Sequence, residues 1–442
     1  MLSLNYKSIL GMALPMMVSG FVQSIVLITD ASFISRYSTE AFDAVGNAGL
    51  LYVTIYVCLA GMGDGAQIII ARRIGEGRVS AIGRVFGTSF LTNFILAISF
   101  FGILYWFLPS AIVGYSKHQE IALLQGDFLR IRSFALFFAM ITITIQAFLL
   151  AKGKSIIVLY AALITATSNI FLANALIFGK FGLPEMGIEG AALANTIADA
   201  LGMLFLVIYL IFSTERREYQ LFAHFKFDLT SMKELLKVGS PMMFQGFFAL
   251  AIWTVFFTWL EQKGQFDLTV SQNVRAIYFL AFVPIWGFAG TTKTYISQYI
   301  GAKRFDDIPI IQRRIQLMTV IFLCVTFHGA ILYPEALIRM INPEEEYIHK
   351  SAEILKLISV SIMLFGFASV YFQTIHGSGN TLHSMFIEFG TASVYGFFCY
   401  LFIKVWRLDI YWIWTVEYIY FMLLGLGSIA YLRLYDWKKK IV

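Results

Sequence analysis

Cysteine is nearly absent from this chain, three in 442 residues, and the three stand where they can do little covalent chemistry. Cys58, Cys324 and Cys399 each lie inside an apolar run, with no CxxC pair and no Cys/His spacing that would hold zinc. A disulfide framework and a structural zinc site both fall away. Charge is scarce too: Asp, Glu, Lys and Arg make up 14% of the residues, against roughly 25% in soluble domains. The six histidines are scattered, and neither a nucleophile elbow nor a phosphate-binding glycine loop is present. What remains is 59% hydrophobic, a composition suited to lipid.

Spanning a hydrocarbon core takes about 20 apolar residues per helix. Twelve such runs are readable, the first near 9–35 and the last near 409–432. They lack the strict two-residue alternation of barrel strands, and backbone in lipid must satisfy its own hydrogen bonds, so the expected class is an all-α polytopic membrane protein. The first run follows Lys7 as a secretory leader would, but it continues too far and offers no small-residue cleavage site. It reads as a retained helix.

The chain also repeats itself at an offset of 226 residues. Leu14-Pro15-Met16-Met17 returns as Ser240-Pro241-Met242-Met243, Gly75-Glu76-Gly77-Arg78 as Gly301-Ala302-Lys303-Arg304, and Gly153 as Gly379. Three anchors over roughly 140 residues with no net insertion point to duplication of a folding unit, and two such units in one membrane chain point to a transporter. Basic residues report orientation. With the N-terminus inside, 20 Lys and Arg fall in inside segments, Lys226 and Lys440 among them, and 10 in outside segments, so both termini are expected in the cytoplasm. Six helices per half return the chain to its starting side, which makes the repeats parallel. The lobes are expected at 1–213 and 235–442, joined by a charged cytoplasmic linker at 214–234. The net charge of +6 lies at helix ends and not on one soluble face, which speaks against a nucleic-acid partner.

The segments from Ala13 to Arg36, from Ala71 to Gly77, and from Asn169 to Gly179 followed by Pro184, Gly187 and the run Gly190 to Ala194 resemble the MATE (multidrug and toxic compound extrusion) family. The resemblance covers nearly the whole chain. It implies two six-helix lobes around a central cleft that opens alternately to the two sides, and export of organic compounds driven by re-entry of H⁺ or Na⁺. It also implies a cation site in the first lobe. The family's first-helix Asp matches Asp30 and its fifth-helix Asn matches Asn169. A sixth-helix Thr or Ser falls on Asn195, and an acid found four residues further on in some relatives matches Asp199. The frequent acid four residues after the fifth-helix Asn falls on Ala173, although Asn174 is adjacent. That departure weakens a family-type Na⁺ site, for which Asp30, Asn169, Asn195 and Asp199 would be the ligands.

Physical chemistry singles out the same residues. A charge in mid-membrane costs about 2.5–3.5 kcal/mol on insertion scales, so each one needs a partner or a purpose. Counting about 1.5 Å per residue puts Asp30, Asn195, Asn169 and Asp199 at about 7, 12, 15 and 18 Å from the outer boundary. Two carboxylates in one low-dielectric site repel when both are ionised, which lets a proton compete for the site. The plainer alternative is that Asp30 caps or snorkels to the interface while the asparagines only join helices. A second pair is Asp64 on the second helix and Lys293 on the eighth. Asp64 maps by the repeat to Gly290, three residues from Lys293, so the two lie at similar depth and could pair as an inner gate, or could each find a partner in its own lobe. The glycines of Gly61 to Gly65 read as close helix packing, Pro15, Pro241 and Pro284 as kinks, and His376 as a solvated helix-end histidine. Glu388 and Glu417, in the last two helices, have no assigned role.

The leading function is an antiporter exporting amphipathic, cationic organic compounds in exchange for H⁺ or Na⁺. The alternative is a flippase for lipid-linked saccharides, related through the wider superfamily. A lipid-modifying enzyme would need a catalytic cluster near an interface, and none is readable. The expected partners are small-molecule substrates and the bilayer, with no cofactor beyond the coupling ion. The expected state is a monomer in a bacterial inner membrane.

Overall fold

Backbone surrounded by lipid must hydrogen-bond to itself, and the apolar runs do so as helices. The protein is described by a computed structural model covering residues 1–115, 119–223 and 228–439; Lys226 and Lys440 lie outside the described residues. Among the described residues there are twelve helices long and apolar enough to cross a membrane and no strand. They are α1 Tyr6–Tyr37, α2 Glu40–Gly75, α3 Val79–Gly114, α4 Ala135–Lys152, α5 Ser155–Phe178, α6 Gly187–Phe212, α7 Leu229–Lys263, α8 Gln265–Gly301, α9 Phe305–Phe327, α10 Glu345–Gly377, α11 Thr381–Val405 and α12 Ile410–Leu434. A further helical segment, Gln119–Ser133, leads into α4.

Local chemistry sets the helix ends and explains two of the repeat anchors. Beyond α4, Gly153 adopts φ +84°, and Lys154 N–H donates to the Leu149 carbonyl at 2.8 Å, the left-handed cap that glycine makes without a Cβ penalty. One repeat later, beyond α10, Gly379 adopts φ +79° and donates to His376 O at 2.8 Å. Gly77, after α2, stands at φ +70°, but its repeat mate Lys303, after α8, stands at φ +58°. An L-residue there costs roughly 1–2 kcal/mol.

The chain forms two compact units, Val18–Met243, and Met1–Met17 with Phe244–Val442. The two crossover points, after Met17 and after Met243, are separated by the repeat offset. By packing, then, the first turns of α1 belong to the second unit and those of α7 to the first, a different division from one at the 214–234 linker. Glycine permits it. A Cβ on Gly61 would meet Met243 N at 2.6 Å, and one on Gly65 would meet Gly239 Cα at 2.7 Å, so α2 and the start of α7 touch backbone to backbone, as small residues allow in membranes. In the second unit the mate of Gly61, Gly287, lets α1 approach α8 closely, where a Cβ would stand 2.5 Å from the Met17 side chain at Cγ and 3.0 Å from Ala13 O.

The two interiors differ in their building material. The buried core of the first unit includes ten alanines, among them Ala135, Ala139, Ala191, Ala192 and Ala194, but only two aromatic rings. That of the second holds three alanines and six rings, Phe256, Tyr278, Phe327, Tyr395, Trp414 and Phe421. Helices in the first unit therefore approach through small side chains, whereas those in the second are spaced by large ones. Part of the expected linker docks onto the first unit. Glu215, 2% exposed, accepts from Lys152 Nζ at 3.1 Å and pairs with Lys154. Burial alone would raise the Glu215 carboxyl, but the two lysines outweigh it and hold it below the usual carboxylate range.

Candidate functional site

Asp30 sits on α1 of the first unit, and the fold turns α5 and α6 towards it. Asn195 Nδ2 on α6 donates to Asp30 Oδ2 at 3.0 Å and also to its own helix at Ala191 O, 3.0 Å. The Asn169 side chain on α5, 1% exposed, faces the same carboxylate. Asp30 is therefore held by another helix and does not cap its own. Two buried oxygens remain without a hydrogen-bond partner, Asp30 Oδ1 and Asn169 Oδ1. Unpaired buried acceptors are costly, and one of these two belongs to the membrane carboxylate itself.

Asp199 takes another partner. Its Oδ2 accepts from Arg132 Nη1 at 2.8 Å, and the Arg132 guanidinium lies 4.1 Å from the centre of the Tyr52 ring. Arg132 is 8% exposed, and both it and Asp199 lie within electrostatic reach of Asp30. The site is thus two carboxylates and one permanent cation, not the bare carboxylate pair that the sequence suggests. Arg132 counts among the outside basic residues in the charge tally, yet it falls within the fourth apolar run of the sequence, near 128–150, where an arginine needs a partner. That was the signal available. Ala173 is fully buried in the core of the unit and presents no side-chain oxygen. Asn174 does not replace the missing acid, because its Oδ1 accepts from Lys180 Nζ at 2.9 Å.

Asp64 on α2 is half-buried in the first unit, and Lys293 on α8 is buried in the second. Each has interactions of its own. His376 departs from expectation. It is 6% exposed, because the end of α10 packs tightly on α8: a Cβ on Gly377 would stand 2.7 Å from Lys293 O. Its Nδ1 lies 3.1 Å from Gln373 Oε1.

The repeat offset carries Asp30 to Phe256, Tyr52 to Tyr278 and Asn169 to Tyr395. At that place in the second unit, Glu417 on α12 is fully satisfied, accepting from Tyr278 OH at 2.6 Å and from Tyr395 OH at 3.0 Å. Phe256 packs on Tyr395 and Trp414, with ring centres 6.1 and 5.5 Å apart. Nearby in sequence, Glu388 accepts from Tyr420 OH. Both glutamates, without an assigned role in the sequence, are therefore buried acceptors for tyrosine hydroxyls.

A family profile described as MatE matches the chain twice, over residues 15–174 and 241–401. The chain belongs to the MatE family. It is a multi-pass membrane protein of that family, and its two profile matches begin one repeat offset apart. Among curated relatives it is 27% identical over 397 residues to the probable multidrug resistance protein NorM of Thermotoga maritima, covering 87% of this chain and 82% of that one. It is 22% identical over 384 residues to the probable multidrug resistance protein YoeA of Bacillus subtilis, covering 85% and 82%. Among solved structures, a MOP superfamily transporter from Pyrococcus furiosus superposes with a TM-score of 0.89 at 20% identity, covering 98% of this chain and 97% of that one. An outward-facing multidrug resistance transporter of the MATE family superposes with a TM-score of 0.88 at 20% identity over the same shares. These likenesses are of fold.

Proposed function

We propose that the protein exports amphipathic, cationic organic compounds in exchange for an entering cation, which is a proton, and that Asp30 carries it. The observation that supports this reading most is the buried, unpaired oxygen Asp30 Oδ1 of a membrane carboxylate. It lacks a donor, and a single proton bound there satisfies it. Na⁺ asks for more, since hard cations are held by several oxygens at once. Ala173 offers none, and Asp199 is engaged by Arg132. Curated relatives named as probable multidrug resistance proteins support the substrate class, and membrane carboxylates suit cationic cargo better than the anionic headgroup a lipid-saccharide flippase would carry.

In this reading the protein works as a monomer in a bacterial inner membrane with both termini in the cytoplasm. Asp64 and Lys293, one from each unit, pair as an inner gate when the protein faces outward. Uptake of a panel of organic cations into inverted proteoliposomes, under imposed pH or Na⁺ gradients, tests the function. Accumulation is expected to follow the pH gradient. Accumulation that follows Na⁺ and ignores pH would overturn proton coupling, and accumulation of lipid-linked saccharides alone would favour the flippase.

A further inference from the structure

Arg132 has no place in the exchange as described so far, and it is an unusual group to find there. It is a permanent cation, buried to 8% exposure, next to a site that must bind and release another cation. We infer that Arg132 determines which cation the Asp30 site accepts: it occupies Asp199 and sets a fixed positive charge beside the site, so that Na⁺ is shut out. This rests on the reading of Asp30 as the coupling residue.

The argument is one of ligand supply and repulsion. In the first unit Asp30 brings two carboxylate oxygens, and Asn169 and Asn195 face them as hydrogen-bonding amides. One of the Asp30 oxygens already accepts from Asn195. Asp199, the other carboxylate within electrostatic reach, has its Oδ2 bonded to the Arg132 guanidinium at 2.8 Å. A second carboxylate is what a Na⁺ shell would need once Ala173 has replaced the acid of other family members. Arg132 takes one of the Asp199 oxygens and neutralises its charge. The guanidinium cannot move aside without loss, because it also rests on the Tyr52 ring at 4.1 Å, a cation–aromatic contact that strengthens as water is excluded. Its charge repels any incoming ion, and repulsion between like charges grows in a poorly hydrated interior. A proton escapes the first of these constraints, because it needs a single oxygen and no coordination shell. Selectivity is thereby built by an element hostile to the wrong ion, as much as by one that welcomes the right one.

Arg132 could instead only pin the segment before α4 to α6, and the two roles predict different results for Na⁺ affinity. The experiment is saturation binding of ²²Na⁺ to the purified full-length protein in detergent, with thermal melting recorded for every variant. Wild type should show no saturable Na⁺ binding. Arg132→Met, which frees Asp199 and removes the charge, should gain it, with an affinity at least about tenfold above the weakest the assay can detect. Arg132→Lys, which keeps the charge, should resemble wild type. Arg132→Met combined with Asp199→Asn should lose the gain. If Arg132→Met does not fold, Arg132→Ala serves, because it too frees Asp199 and removes the charge. Wild-type protein that binds Na⁺ as tightly as the neutral variants would overturn the inference, as would a folded neutral variant that gains nothing. Transport by Asp30→Asn separates the two readings: full activity there sinks the coupling role of Asp30, whereas lost activity with unchanged Na⁺ affinities sinks only the role of Arg132.

Discussion

The two halves put different chemistry at the same place in one repeated architecture. In the first, Asp30 and Asn169 leave buried oxygens unpaired beside Arg132 and Asp199. In the second, Phe256 and Tyr395 stand at the equivalent positions, and both oxygens of Glu417 are occupied by tyrosine hydroxyls. Ring packing of Phe256 on Tyr395 and Trp414 adds about 0.5–1.5 kcal/mol per pair beyond area burial. The comparison separates two uses of a membrane carboxylate. Left short of donors, it is ready to take a cation; fully hydrogen-bonded among aromatic rings, it is a packing element.

The largest expected effect tests the first half of that contrast. Asp30→Asn keeps the shape but removes the titratable charge, and should abolish gradient-driven accumulation in inverted vesicles while the protein inserts and melts as wild type does. Accumulation at the wild-type rate from a well-expressed variant would reject the assignment. Next is the proposed inner gate, to which each half contributes one charge. Reversing either Asp64 or Lys293 alone should slow transport and raise cytoplasmic accessibility to cysteine reagents, whereas the double reversal should recover much of both, with a coupling of about 0.5–3 kcal/mol. Additive effects in the double variant would mean that the two residues do not meet.

Smaller effects probe the shared scaffold. A methyl at Gly61 would strike the Met243 backbone, whereas one at Gly287 would first strike the flexible Met17 side chain. Gly61→Ala should therefore destabilise by about 1–3 kcal/mol and Gly287→Ala by less, as read from thermal melting in detergent. Equal losses would count against backbone contact as the limiting feature. At the turn after α8, Lys303→Gly removes a strained left-handed lysine and should stabilise by up to about 1 kcal/mol; a drop in melting temperature would show that the lysine side chain matters more than its backbone.

Much of the scaffold was legible in the sequence, because it rests on local signals. Apolar run length is enough to find twelve helices, and the glycines of Gly61 to Gly65 announce a close approach without naming its partner. The family resemblance led to Asp30, Asn169 and Asn195, and the structure brings them together. The place of Arg132 inside an apolar run asks for a partner, but nothing local names it, because Asp199 is 67 positions away and a charge tally counts Arg132 with the outside basic residues. His376 misled for a similar reason: a histidine at a helix end is solvated unless another helix covers it, and α8 does so here. The α1 and α7 crossovers depend on which helix each glycine face meets, and no run of hydrophobicity records that.

The contrast between the halves is tested most directly by measuring proton counterflow with a pH dye during substrate transport, in parallel for wild type, Asp30→Asn and Glu417→Gln. The account predicts that Glu417→Gln moves protons with substrate as wild type does, at a cost only in thermal stability, and that Asp30→Asn moves none. Proton counterflow that survives Asp30→Asn and vanishes with Glu417→Gln would contradict it, and would place the exchangeable cation in the second half.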